Sequence, residues 1–114
     1  MKKNLNLRDL QRLTHIVESC EYAAEIVATS KDNITNQLAL ERIVEIIGEA
    51  ANQVSEEIKA KYDKIEWRKI IDTRNILAHE YHRVDADIVW NICKNKLPKL
   101  KIDVQKIIEE LENE

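Results

Sequence analysis

A single glycine, a single proline and no phenylalanine in 114 residues leave this chain almost without the punctuation that several short strands and tight turns demand. One glycine also excludes any glycine-rich phosphate loop. No segment approaches the roughly 18 uncharged apolar residues of a membrane span, and the opening Met1-Lys2-Lys3-Asn4-Leu5 lacks the apolar run of a signal peptide. A cytoplasmic protein with no membrane partner is therefore expected. Only two cysteines are present, Cys20 and Cys93, each on the apolar stripe of a different predicted helix. That pattern suits reduced, packed thiols better than a disulfide framework. Basic residues are outnumbered, 18 against 21, for a net charge of -3, so any nucleic-acid contact must be local rather than a property of the whole surface.

What is present is helical periodicity. The chain is 44% hydrophobic, mostly Ile, Leu, Val and Ala, and fits one domain with one core. Asn6 is a candidate N-cap, with Asp9 three residues on, for a helix reaching about Ser30 whose stripe runs Leu10, Leu13, Val17, Cys20, Ala24, Val27. After the cap-rich Asp32 to Thr35, a second stripe runs Leu40, Ile43, Val44, Ile47, Ala51, Val54, antiparallel to the first across a short connection. Gly48 sits inside that second helix at a cost of about 1 kcal/mol relative to Ala, which points to close approach of a neighbouring helix. Ser55 with Glu56 and Glu57 starts a short helix to Tyr62. Glu66 to Ala78 reads as an amphipathic helix, and a last helix begins near Asp85. Pro98 should kink or break that last helix at Lys96 to Leu97, and its acidic end at Glu109 to Glu114 should fray. The expected architecture is all-α: a four-helix bundle with an additional short helix.

Chemistry concentrates in Arg74-Asn75-Ile76-Leu77-Ala78-His79-Glu80-Tyr81. Arg74 falls on the apolar stripe of its helix, yet its guanidinium stays charged and offers a planar fork of donors suited to phosphate or carboxylate. His79 can exchange a proton near neutral pH, and Tyr81 can donate a hydrogen bond, stack or be modified. Proton transfer beside phosphate binding is the combination for phosphodiester cleavage. The three histidines show no paired metal-ligand spacing, so no metal and no cofactor is expected. Geometry restricts the site further. Five residues along a helix leave positions 74 and 79 about 140° apart in azimuth and about 7.5 Å apart in rise. Either the helix loosens near His79, or the same octet of a second subunit completes the site in a symmetric dimer. Plainer readings stay open at this point. Arg74 can be the buried partner of Glu45, Glu49 or Asp72, His79 a capping or packing residue, Tyr81 a packed ring, and His82-Arg83 a solvated loop.

The pattern Arg74-x4-His79-x-Tyr81 resembles the signature of the HEPN superfamily in its HepT toxin branch. The likeness extends to Glu41-Arg-Ile-Val-Glu-Ile-Ile-Gly-Glu-Ala-Ala, Trp67-Arg-Lys-Ile-Ile and Tyr81-His-Arg-Val-Asp, covering about residues 8 to 108 of a single HEPN-like domain spanning 1–114. One departure is Asp72-Thr73, where the family commonly has a Gly-Met type pair. The resemblance implies a helical homodimer, or a higher assembly of it, with a composite metal-independent endoribonuclease site for cellular RNA such as tRNA or mRNA. It implies Arg74 and His79 as the catalytic pair, with Asn75 supporting the arginine. It further implies the toxin of a toxin-antitoxin pair, silenced when a cognate minimal nucleotidyltransferase antitoxin transfers AMP to Tyr81. The alternative is a non-catalytic helical subunit that presents nucleotide or RNA to a nucleotidyltransferase.

Overall fold

The computed structural model describes residues 6–79 and 85–113, and for Ala78 and His79 the backbone alone. The helices are α1 (Leu7–Val27), α2 (Ile34–Gln53), α3 (Glu56–Lys61), α4 (Trp67–His79), α5 (Ala86–Asn91) and α6 (Leu97–Glu112), with a π-helical segment (Ile92–Lys96) joining the last two. Among the described residues there is no strand. Four long rods, counting α5 to α6 as one, and the short α3 make the all-α bundle that the periodicity implies.

Capping side chains set the helix starts. The Asn6 carboxamide accepts from the Arg8 and Asp9 N–H groups at 2.9 and 3.2 Å, and Asn33 and Ser55 cap α2 and α3 in the same way. Asp9 does not reach back to complete a capping box. Its carboxylate, 3% exposed, instead accepts from the Ser55 N–H at 2.8 Å and the Ser55 hydroxyl at 2.7 Å. The start of α1 is thereby fastened to the end of α2, which requires the two helices to run antiparallel. Leu13, Ile16, Leu40, Ile47, Val104 and Ile107 fill the space between α1, α2 and α6 with almost no exposure. Cys20 and Cys93 are free and buried, and burial pushes both thiols up to about 12; for Cys20 the neighbouring Cys93 adds to the effect.

Pro98 acts one turn earlier than a simple kink would. The Leu97 N–H donates to the Ile92 carbonyl, five residues back, so the helix widens into a π-turn and restarts as α6 with Pro98 in its first turn. A missing N–H costs nothing there. The acidic end stays helical to Glu112, because Leu111 is buried and the Tyr62 hydroxyl donates to the Glu110 carboxylate at 2.7 Å. Repulsion from the helix dipole is smaller than these two tertiary anchors. Among the described residues, no helix is long and apolar enough to cross a membrane.

Candidate active site

The entry to α4 is fixed before its chemistry begins. The Trp67 indole N–H donates to the Tyr62 carbonyl at 3.1 Å, its ring is buried, and Ile70 and Leu77 continue the apolar stripe against the bundle. Arg74 lies on that stripe, one turn beyond Ile70.

Gly48 explains how an arginine fits there. A Cβ on residue 48 would lie 2.1 Å from the Arg74 Cβ, 2.9 Å from its Cγ and 3.0 Å from the Ile70 carbonyl oxygen. Real carbon contacts of that kind begin above 3 Å, so the axes of α2 and α4 could not come this close with any side chain at 48. Further along, Leu77 lines a small hollow with Leu38, Glu41, Arg42 and Glu45. Advancing from Arg74 to Leu77 on α4 thus means going backwards from Gly48 on α2, so the two helices are antiparallel. Burial at this seam holds the Glu41 carboxyl above its ordinary range. Ile34 and Leu38 on α2 and Ile76 on α4 remain exposed.

Among the described residues the Arg74 guanidinium is anchored at one corner. Its Nη1 donates to the Asn75 side-chain oxygen at 3.0 Å, while its Nε is buried without any hydrogen-bond partner. None of the ion pairs among the described residues includes Arg74, so Glu45, Glu49 and Asp72 do not neutralise it; Glu45 pairs with Arg42 instead. The reading of Arg74 as half of a buried salt bridge is thereby set aside. Asp72, the departure beside the motif, is exposed and leaves the arginine alone. An unpartnered buried donor costs about 1–3 kcal/mol, and a group kept at that cost is a candidate for binding an anion.

The described part of α4 is helical through His79. A loosening in the Glu80 to Arg83 run that follows lies outside the described residues; along α4 itself positions 74 and 79 are about 140° apart around the axis. Tyr81, with His82 and Arg83, lies outside the described residues. The groups that can be placed are therefore a charged guanidinium, a carboxamide steadying it and, five residues on, the backbone of His79. Among the described residues no three His, Cys, Asp or Glu side chains gather at one point. Reading the sequence singled out Gly48 and Arg74 separately and did not pair them. The available signal was that each was anomalous on facing stripes, a helical glycine lacking a reason and an arginine lacking room.

The chain matches the family described as HepT-like ribonuclease over residues 7–107. A protein of Methanocaldococcus jannaschii, named as a gamma-glutamylcyclotransferase and inferred RNase, is 38% identical over 88% of this chain and 47% of its own length, so here the chain spans about half of its relative. A protein of Caldanaerobacter subterraneus subsp. tengcongensis named as an inferred RNase is 33% identical over 85% of this chain and 91% of its own length. One from Thermococcus cleftensis, named as an inferred ribonuclease HepT, is 35% identical over 62% of this chain and 64% of its own. No solved structure matches. With the family match covering nearly the whole bundle, the chain belongs to the HepT-like ribonucleases of the HEPN superfamily.

Proposed function

We propose that this chain is a metal-independent endoribonuclease of the cytoplasm that cuts cellular RNA such as tRNA or mRNA, with Arg74 and His79 as its catalytic pair and Asn75 as support. The observation that carries the reading is the Arg74 guanidinium, admitted by Gly48 and steadied by Asn75, with no carboxylate among the described residues to neutralise it. In the proposed reaction the RNA 2′-hydroxyl oxygen attacks the adjacent phosphorus and loses its proton. The bond to the 5′-oxygen breaks, and that oxygen gains a proton. His79 handles these protons, and Arg74 stabilises the charge that builds on the non-bridging oxygens. The products are a 2′,3′-cyclic phosphate and a 5′-hydroxyl. Family membership supports ribonuclease chemistry, and the separation of positions 74 and 79 on an unbroken helix supports a site shared between two copies of the chain. The exposed Ile34, Leu38 and Ile76 near the end of α4 are suitable material for that dimer.

The same reading makes the chain the toxin of a toxin-antitoxin pair, switched off when a minimal nucleotidyltransferase attaches AMP to Tyr81. A phosphate placed there would compete with RNA for Arg74. The deciding experiment is RNA cleavage in EDTA. The wild-type chain should cut and leave cyclic phosphate ends, and His79→Ala should lose on the order of 10² to 10⁴ in rate. Cleavage that disappears in EDTA but survives the substitution contradicts the proposal. Tight RNA binding with no cleavage would favour the non-catalytic subunit. For the switch, mass spectrometry after incubation with the partner enzyme and ATP should show added AMP on wild type and none on Tyr81→Phe.

A further inference from the structure

A second surface lies away from the arginine. A groove of about 630 Å³ runs between α4, the π-turn and the start of α6, with Ile47 of α2 at its base. On α4 it uses Lys69, Ile70 and Thr73, with Glu66 just ahead of the helix, and neither Arg74 nor Asn75 lines it. The groove is therefore not part of the candidate active site.

Its composition is distinctive for this chain. The floor is isoleucine and leucine, with Ile70 and Ile92 half-buried and still open to solvent. Four lysines, Lys64, Lys69, Lys96 and Lys99, stand around it against two acids, a local excess of two positive charges in a chain whose net charge is -3. Both acids are already engaged: Glu66 with Lys69 at 3.3 Å and Asp103 with Lys99 at 2.9 Å. Lys64 and Lys96 have no ion pair among the described residues. The π-turn supplies Ile92, Asn95 and Lys96 to the wall, so the one irregular stretch of the last rod builds this surface.

We propose that this groove docks an acidic amphipathic helix of another protein, its apolar face on the isoleucine and leucine floor and its carboxylates on Lys64 and Lys96. The charge and the apolar floor together select this occupant. Single-stranded nucleic acid is gripped by basic residues interleaved with aromatic rings on which bases stack, and no aromatic side chain lines the groove. A symmetric pairing of two copies through this face would set one excess of two positive charges against another. An amphipathic helix in a groove satisfies both halves of the surface, the apolar anchors providing affinity and the charges register. The inference stands apart from the ribonuclease reading, since it uses neither Arg74 nor His79.

The test uses the full chain and three fluorescent probes: a short helical peptide with leucines on one face and glutamates elsewhere, the same peptide with lysines replacing the glutamates, and a short oligouridine RNA. Anisotropy titrations on wild type and on the surface double variant Lys64→Glu/Lys96→Glu give the affinities. The glutamate peptide should bind, the lysine peptide should bind at least about tenfold more weakly, and the double variant should lose about tenfold or more for the glutamate peptide while its RNA affinity stays the same. The proposal is overturned if the glutamate peptide does not bind, if both peptides bind alike, or if the double variant binds undiminished. It is equally overturned if RNA affinity falls with the same two substitutions, which makes the groove a nucleic-acid track. A drop in the mass of the probe-free chain on substitution also overturns it, because the groove is then an interface between copies.

Discussion

Two polar groups buried in this bundle, the Asp9 carboxyl and the Arg74 Nε, are treated in opposite ways. Asp9, in the corner where α1 meets the end of α2, is sealed from solvent and receives two hydrogen bonds from Ser55. Arg74, in the seam between α2 and α4, has a buried Nε with no partner and a neighbour reduced to glycine to admit it. The first arrangement is what folding stability favours, a buried polar group with hydrogen-bond partners on both its oxygens. The second costs stability and keeps a cation available for something outside the chain. One corner fixes the scaffold, and the other holds a tool on it.

The comparison is broken most forcefully at Gly48. Gly48→Ala gains about 1 kcal/mol of helix propensity but sets a methyl group against the backbone-proximal carbons of Arg74, and overpacking of that kind costs about 1–3 kcal/mol. The clash prevails because no flexible chain end can yield, and α4 must shift. A displacement near 1 Å at the arginine should lower RNA cleavage on the order of 10²-fold, read as kcat in a single-turnover assay on folded protein. Unchanged cleavage would mean that the close approach does not position Arg74.

At the other corner the effect should move to stability. Asp9→Ala removes a charged acceptor from two donors and should cost about 3 kcal/mol, a fall of roughly 10 °C or more in Tm by calorimetry. Activity per folded molecule should be unaltered. Ser55→Ala keeps the backbone donor and loses the hydroxyl along with the α3 cap, so about 1 kcal/mol is expected from urea unfolding.

The smallest effect concerns the thiols. Both have a folded pKa raised from the ordinary 9.0 to about 12, so the unfolded chain gives up these protons first. The stability this contributes is present below about pH 9 and is lost as pH rises toward 12. Urea midpoints should therefore fall more steeply across that window for wild type than for Cys20→Ala/Cys93→Ala, after allowing for the packing lost at any pH.

The helices were legible in the sequence because apolar spacing and the caps Asn6, Asn33 and Ser55 are local signals. The break before Pro98 was legible too, although its form as a π-turn depends on how Leu97 and Cys93 bury against α1, which no local pattern records. The role of Asp9 is not legible locally, because its partner Ser55 lies 46 residues away. Arg74 and Asn75 were found by residue type. That Gly48 makes room for the arginine is a contact between facing helices and needed the fold. The lysines of the groove come from two distant stretches, 64–69 and 96–99, which only the folded bundle brings together.

Whether Arg74 is retained for chemistry rather than for folding is decided by its alanine variant measured beside wild type and Asp9→Ala. Arg74→Ala should melt within a few degrees of wild type, because it deletes an unsatisfied donor rather than a salt bridge, while RNA cleavage in EDTA falls by on the order of 10² or more. A melting temperature that drops as far as that of Asp9→Ala, with cleavage reduced only in proportion to the unfolded fraction, would make Arg74 a structural residue and contradict the account.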